Sequence, residues 1–244
     1  MGGRGSVSVT GGTIKIGSLG GGSNDIKNVG GAADPRGDVQ QAFRELGFKD
    51  VKGLGDVDTA VLGAYAIALN NLERQYGAMG NLDTYGMEVL GMDSASAIAA
   101  VRYDANGTPN ALLINRSMMG SISKHNAIHR KDEASGWSMP TDGSVKSVSR
   151  YTITHEYGHI LQTSMYQQAK KSGFKGTEGQ YARSAANQIT SHAQKRYGAT
   201  QKHVSQYGSH NTAEFFAEAF ANANSGKPNA IGKATSDWLK KQRR

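Results

Sequence analysis

The chain has 244 residues, a formal net charge of +8 and no cysteine, which excludes a disulfide framework and any metal site built on thiolates. A metal ion would therefore need histidine and carboxylate ligands, the set typical of catalytic rather than structural sites. No apolar run approaches the roughly 18 residues of a transmembrane helix, so we expect no membrane span. The N-terminus also lacks the apolar stretch of a signal peptide.

Residues 1–37 are rich in glycine, serine and threonine and contain few apolar anchors. This composition is typical of a flexible tail. Apolar residues alternate with polar ones at two places between positions 7 and 16, which allows a short docked strand or hairpin there.

The remaining length fits one domain that opens with two helices. Apolar residues at spacings of three and four predict a helix from Asp38 and another over Asp58–Tyr76, each with an aspartate suited to its start. Neither helix carries side chains that indicate chemistry. We predict a single domain at 38–244, with a helical scaffold at 38–92, a sheet plus a long helix at 93–168 and a helical part at 169–244.

Two strands are predicted at Ala97–Tyr103 and Ala111–Asn115, because a turn containing Asn106-Gly107 joins them. Pro109 has no backbone N–H to donate, so the second strand is expected to begin at a sheet edge. An edge strand can pair with an extended peptide through main-chain hydrogen bonds, although an ordinary protected edge explains the pattern equally well. We expect an α+β fold with a small, twisted, mainly antiparallel sheet.

Residues 116–142 are polar and are expected to be irregular. His125 and His129 stand four apart there, but no carboxylate separates them and the neighbouring lysines and arginine would repel a cation. A second metal site is therefore disfavoured. Trp137 either lines a cleft or fills the core, and the core interpretation is favoured.

The run His155-Glu156-Tyr157-Gly158-His159 carries the most specific signal in the chain. On a helix, residues four apart lie on one side, so His155 and His159 can bind one zinc ion, and Glu156 can accept the proton of a water held by that ion. The alternative is two surface histidines on an amphipathic helix. Gly158 is a poor helix former, which suggests that another element approaches the helix closely there.

Two histidines leave a catalytic zinc ion short of one protein ligand, and a later carboxylate has to supply it. Glu214 and Glu218 share one face of a predicted helix whose opposite face is apolar. Glu214 could instead be solvated, or could cap the helix start together with Asn211. Glu218 could support a liganding histidine from behind, or be a plain solvated side chain.

Residues 154–159 and 205–220 resemble the catalytic domain of anthrax lethal factor and its relatives, a family of zinc metallopeptidases that includes small enzymes of phages and prophages. The resemblance implies that His155, His159 and Glu214 bind one zinc ion and that Glu156 is the general base. It also implies that the Tyr207 hydroxyl lies over the zinc and stabilises an oxyanion or protonates the leaving amine. From the residues alone, Tyr207 is a plausible oxyanion donor or a half-buried tyrosine before a turn.

The expected function is a zinc-dependent endopeptidase acting on a protein or peptide, in a cytoplasmic or virion-associated location, with export by an unconventional route left open. The lethal-factor carrier domain has no counterpart here, so that toxin's substrate and delivery do not carry over. The rival is a phage structural or accessory protein that keeps the fold without turnover and binds a capsid component or nucleic acid through the tail at 1–37 and the basic segment 170–202. Glu156 speaks against it, because a structural site needs no base. Nucleic-acid binding by that segment is disfavoured, since few aromatic residues interleave with its charges.

Overall fold

The structure, a computed structural model, describes residues 8–10, 13–15, 35–82 and 86–242. Its strands are β1 (Ser8–Thr10), β2 (Thr13–Lys15), β3 (Asp50–Lys52), β4 (Glu88–Met92), β5 (Ala99–Tyr103) and β6 (Pro109–Asn115). Its helices are α1 (Pro35–Glu45), α2 (Thr59–Tyr76), α3 (Ala78–Asn81), α4 (Ile122–Ala134), α5 (Val145–Lys171), α6 (Glu178–Tyr197), α7 (Thr212–Ala223) and α8 (Ala230–Gln242). Short 3₁₀ turns at Gln201–His203 and Tyr207–Ser209 lie between α6 and α7. The α+β prediction is confirmed.

Some predictions for the N-terminal part of the chain agree with the structure and one differs from it. Antiparallel pairing of β1 with β2 fits the hairpin that the alternating residues allow. The predicted flexible tail otherwise lies largely outside the described residues. Its end at residue 37 is three residues too late, because α1 begins at Pro35, and proline is well suited to a first helical turn. The second helix begins as predicted, with the Asp58 carboxylate accepting a hydrogen bond from the Ala60 N–H at 2.8 Å.

The four-stranded sheet has the order β3-β4-β6-β5, and the expectation of a mainly antiparallel sheet is wrong. β3 pairs parallel with β4 and β4 parallel with β6, and β5 with β6 is the one antiparallel pair of these three. Of these strands, only β5 and β6 are joined by a tight turn. The helical crossover through α2 and α3 has the length that a parallel connection requires.

The edge assignment within the hairpin is also reversed. β6 lies between β4 and β5, so the strand that begins at Pro109 is interior, and β5 forms the edge. Pro109 is tolerated because it is the first residue of its strand. The edge strand β5 contacts α5, which carries the two histidines of the most specific motif.

Helix α4 occupies part of the region expected to be irregular. Ser121 caps it by accepting a hydrogen bond from the Lys124 N–H at 3.1 Å. Its buried residues are polar, among them His125 and His129, so the apolar periodicity that marks most buried helices is missing. His125 is held in place by Tyr65, whose hydroxyl lies 3.0 Å from its Nε2.

Helix α5 runs through the buried centre of the fold. It packs against α7 and α2, and a cluster of buried apolar side chains extends around it from α1 to α8. None of the helices in the described residues has the length and apolar character needed to cross a membrane. The packing of α7 on α5 is what brings distant parts of the sequence to one site.

Candidate metal centre

Three side chains from α5 and α7 converge at one point. His155 Nε2 lies 3.2 Å from His159 Nε2 and 3.1 Å from Glu214 Oε2, and the third edge, from His159 Nε2 to Glu214 Oε2, is 3.4 Å. The histidines stand one helical turn apart on α5, while α7 supplies the glutamate. Among the described residues, this is the group of histidine and acidic side chains that could hold a metal ion.

The dimensions of this triangle fit an ion of the size of zinc. Ligands about 2.0–2.1 Å from a tetrahedral zinc ion are separated by roughly 3.3 Å, close to all three edges. Burial lowers the pKa of His155, but the carboxylates of Glu214 and Glu218 outweigh it and raise the pKa to about 10. The centre thus favours positive charge, which either a proton or a metal ion can supply.

Glu218 is only 2% exposed, which excludes the solvated alternative. Its Oε1 accepts a hydrogen bond from His155 Nδ1 at 3.0 Å. Its Oε2 accepts three more, from the Met139 N–H at 2.9 Å, the Tyr151 hydroxyl at 3.1 Å and the Ser205 hydroxyl at 2.8 Å. The carboxylate therefore fixes the orientation of the His155 ring, with Nδ1 as a donor to Glu218 and Nε2 directed at the triangle.

Glu214 lies in the first turn of α7, and its carboxylate is directed at the histidines rather than into solvent. Asn211 caps the helix by accepting hydrogen bonds from the N–H groups of Ala213 and Glu214 at 2.9 and 3.0 Å. Burial would raise the pKa of Glu214, but hydrogen bonding to His155 and His159 lowers it well below its usual range. The carboxylate therefore stays ionised, as a metal ligand must be.

Glu156 is 6% exposed and lies between α5 and the edge strand β5. Burial raises its pKa, while the neighbouring charges of His155 and His159 oppose that change. A carboxylate in this environment is a better proton acceptor than one in water.

Tyr207 packs against the candidate metal centre. Its ring stacks on that of His155, with centroids 5.5 Å apart and planes at 25°. Trp137 stacks on Tyr207 at the same separation and angle. Burial raises the pKa of the Tyr207 hydroxyl and the charge of Glu214 raises it further, so the hydroxyl remains a donor.

Trp137 is 39% exposed, so the favoured core interpretation is wrong and the tryptophan forms a wall of the cleft. Its backbone explains its position. The Trp137 N–H donates to the Asp132 carbonyl at 2.8 Å, and the Trp137 carbonyl accepts from the Tyr207 N–H at 3.0 Å. These two hydrogen bonds of Trp137 join the end of α4 to the loop that carries Tyr207. No local sequence pattern predicts this contact.

Tyr151 and Ser205 support Glu218 by donating hydrogen bonds to it, and neither was predicted from the sequence as part of the site. Tyr151 stands four residues before His155 on α5, so helical spacing could have placed it on the histidine face. Ser205 opens the segment that resembles the lethal-factor family, but nothing in its surroundings predicts a hydrogen bond to Glu218.

Two cavities of about 630 and 480 Å³ flank the centre. Glu156 and Tyr207 line both, as do Ala97 and Ala99 at the start of the edge strand. The cleft therefore continues on both sides of the candidate metal centre and follows β5.

Gly158 confirms the predicted close approach of another element. A Cβ at this position would lie 2.9 Å from the Ala217 Cα of α7, too close for normal packing. Because α7 also carries Glu214, the absence of a side chain at Gly158 allows the two helices to complete the triangle.

We expect Gly158→Ala to destabilise the protein although alanine is the better helix former. The gain in helix propensity is about 1 kcal/mol, but overpacking against the α7 backbone costs about 1–3 kcal/mol and displaces Glu214. Urea unfolding and metal content of the purified variant measure both effects. In the control, Gly179→Ala on α6, the new methyl group meets nothing within 4 Å, so stability should hold or rise. Equal behaviour of the two variants would refute the close-packing explanation.

In comparisons with protein family models, curated proteins and solved structures, nothing matches this chain.

Proposed function

We propose that the protein is a zinc-dependent endopeptidase. The observation that carries this proposal is the triangle of His155, His159 and Glu214, whose edges fit zinc and whose neighbour Glu156 is suited to act as a base. Two imidazoles and one carboxylate are the ligand set of many catalytic zinc sites. A bound zinc ion would polarise the scissile carbonyl and acidify the attacking water.

The chain's own residues supply the proton transfers. Glu156 takes the proton of the attacking water and passes it to the leaving amine, and its raised pKa matches this task. The protonated Tyr207 hydroxyl donates a hydrogen bond to the oxyanion that develops at the carbonyl. Glu218 holds His155 in the tautomer that this arrangement needs.

The substrate in this proposal is an extended peptide. β5 is a sheet edge, and its backbone can pair with a peptide strand through main-chain hydrogen bonds. Because the cleft continues past Glu156 on both sides, a chain can extend in both directions from the cleaved bond. This is the requirement for an endopeptidase rather than an exopeptidase.

Metal content and metal-dependent hydrolysis test the proposal together. After mild dialysis, elemental mass spectrometry should find about one zinc ion per chain. A mixture of unstructured peptides should be cut by this protein, should survive after the metal is removed with a chelator, and should be cut again once zinc is restored. A zinc-loaded protein that cuts no peptide in a diverse mixture would instead favour the binding-protein alternative.

A further inference from the structure

The cleft is acidic although the protein as a whole is basic. The net charge is +8, yet neither lysine nor arginine occurs among the described residues that line the two cavities. The lining carboxylates are those of Asp132, Glu156, Glu178, Glu214 and Glu218. The described lysine and arginine side chains therefore lie outside these two linings, and apart from the histidines of the candidate metal centre the cleft is suited to ligands that carry positive charge.

Most of these carboxylates have partners or an assigned task. Glu214 is hydrogen-bonded to the histidines, Glu156 is the proposed base, and Glu218 accepts four hydrogen bonds. Glu178 accepts a hydrogen bond from the Thr163 hydroxyl at 2.7 Å. Asp132 is the one remaining carboxylate of the five.

Asp132 lies on α4 and lines the 480 Å³ cavity, here called the α4 chamber. Its backbone carbonyl accepts hydrogen bonds, but within the described part of the chain its carboxylate has neither a hydrogen bond nor an ion pair. Burial raises its pKa, Lys131 opposes this, and the nearby charge of Glu218 adds to it. A half-buried carboxylate beside a second acid is costly unless a cation joins it.

Two further polar atoms of the described residues that line the α4 chamber have no hydrogen bond, although one of them, His129 Nε2, lies 3.9 Å from Glu133 Oε2. His129 Nε2 and Ser138 Oγ are buried and make no hydrogen bond within the described residues. Both residues line the chamber with Asp132. Burial lowers the pKa of His129 to about 4, so the ring is neutral and adds no positive charge. A carboxylate, a neutral imidazole and a hydroxyl can all accept hydrogen bonds from a cationic donor.

The other walls of the α4 chamber are apolar. Ile98, Met118 and Ile128 contribute aliphatic surface, and the exposed Trp137 ring stands beside them. A lysine or arginine side chain combines a long aliphatic stem with a cationic head, so it matches both the walls and the acceptors.

We propose that the α4 chamber is a specificity subsite for a lysine or arginine side chain of a peptide. That this residue flanks the scissile bond rests on the proposed function, because the chamber adjoins the reacting centre through Glu156 and Tyr207. Asp132 is the specificity-determining residue, and His129 and Ser138 assist it.

The test measures binding separately from turnover. Zinc-loaded Glu156→Gln protein is titrated with a labelled peptide that carries one lysine, and with a peptide in which norleucine replaces that lysine. Norleucine keeps the stem and removes the charge. We expect the lysine peptide to bind roughly 10- to 100-fold more tightly, as for a hydrogen-bonded charged group. Adding Asp132→Asn should bring the two affinities within a few-fold of each other.

A control variant separates a subsite from general charge attraction, and a second variant covers the case in which Asp132→Asn does not fold. Glu45→Gln removes one negative charge from an exposed position on α1 and should leave the lysine preference intact. If Asp132→Asn unfolds, Ser138→Ala removes one acceptor without changing the charge and should weaken the preference several-fold. Equal binding of the two peptides, or a preference that survives Asp132→Asn, would overturn the subsite.

Turnover by the wild-type protein then separates the two proposals. A lysine preference in binding without any cleavage supports the subsite and rejects the peptidase. Cleavage at bonds with no neighbouring lysine or arginine supports the peptidase and rejects the subsite.

Discussion

Zinc-loaded Glu156→Gln protein is expected to lose peptide hydrolysis by about 10²- to 10⁴-fold while keeping its metal, because general acid–base catalysis contributes an effect of that size. Glutamine preserves the shape of the side chain but cannot accept the proton of the attacking water. Glu156 lies beside the triangle without belonging to it, so the substitution leaves His155, His159 and Glu214 in place. The rate constant of hydrolysis and the zinc content of the same sample are the measurements.

The matched control for this variant is Glu178→Gln. Glu178 lines the same cleft and is partly buried, but it accepts its hydrogen bond from the Thr163 hydroxyl and makes none to the candidate metal centre. The control removes the same charge and should change the rate far less. Comparable losses in the two variants would mean that cleft charge, and not a base at position 156, supports the reaction. Full activity in zinc-loaded Glu156→Gln would exclude the proposed mechanism.

The part of the site that the sequence predicts best is the part set by helical spacing. His155 and His159 are one turn apart on α5, and the close approach at Gly158 follows from the cost of glycine in a helix. The start of α2 at Asp58 is predicted for a similar local reason, because capping involves neighbouring residues. Patterns of this kind depend on a few consecutive residues and persist in the folded protein.

The features that were predicted wrongly depend on contacts between distant segments. The strand order of the sheet is decided by where the crossover through α2 and α3 returns, which no single strand encodes. Helix α4 buries histidine and asparagine rather than aliphatic residues, so hydrophobic periodicity does not reveal it. Trp137 lies at the cleft, where its backbone is hydrogen-bonded to the loop of Tyr207 and its ring stacks on the Tyr207 ring.

Glu218 shows the same dependence on distant contacts. Its helix position allows either a solvated side chain or one that supports a histidine, and the choice is made by Met139, Tyr151 and Ser205. These residues come from three other segments of the chain, and each directs a donor at the carboxylate. Together with His155 they place a hydrogen-bond donor on each oxygen, which explains how a carboxylate can be 2% exposed.

We expect Glu218→Gln to weaken zinc binding by roughly 10- to 100-fold, the usual effect of removing the partner of a liganding histidine. Four donors point at this side chain, and a glutamine amide must present its own N–H groups to at least one of them. The conflict leaves a buried donor unsatisfied or turns the His155 ring, and the free energy of unfolding should fall by about 2–5 kcal/mol. Competition with a zinc chelator and urea unfolding measure the two effects.

Glu133→Gln is the control, since Glu133 accepts hydrogen bonds from Thr141 and contacts none of the three candidate ligands. Its zinc affinity should match that of the wild type. An unchanged affinity in Glu218→Gln would show that the His155 ring is held without the carboxylate.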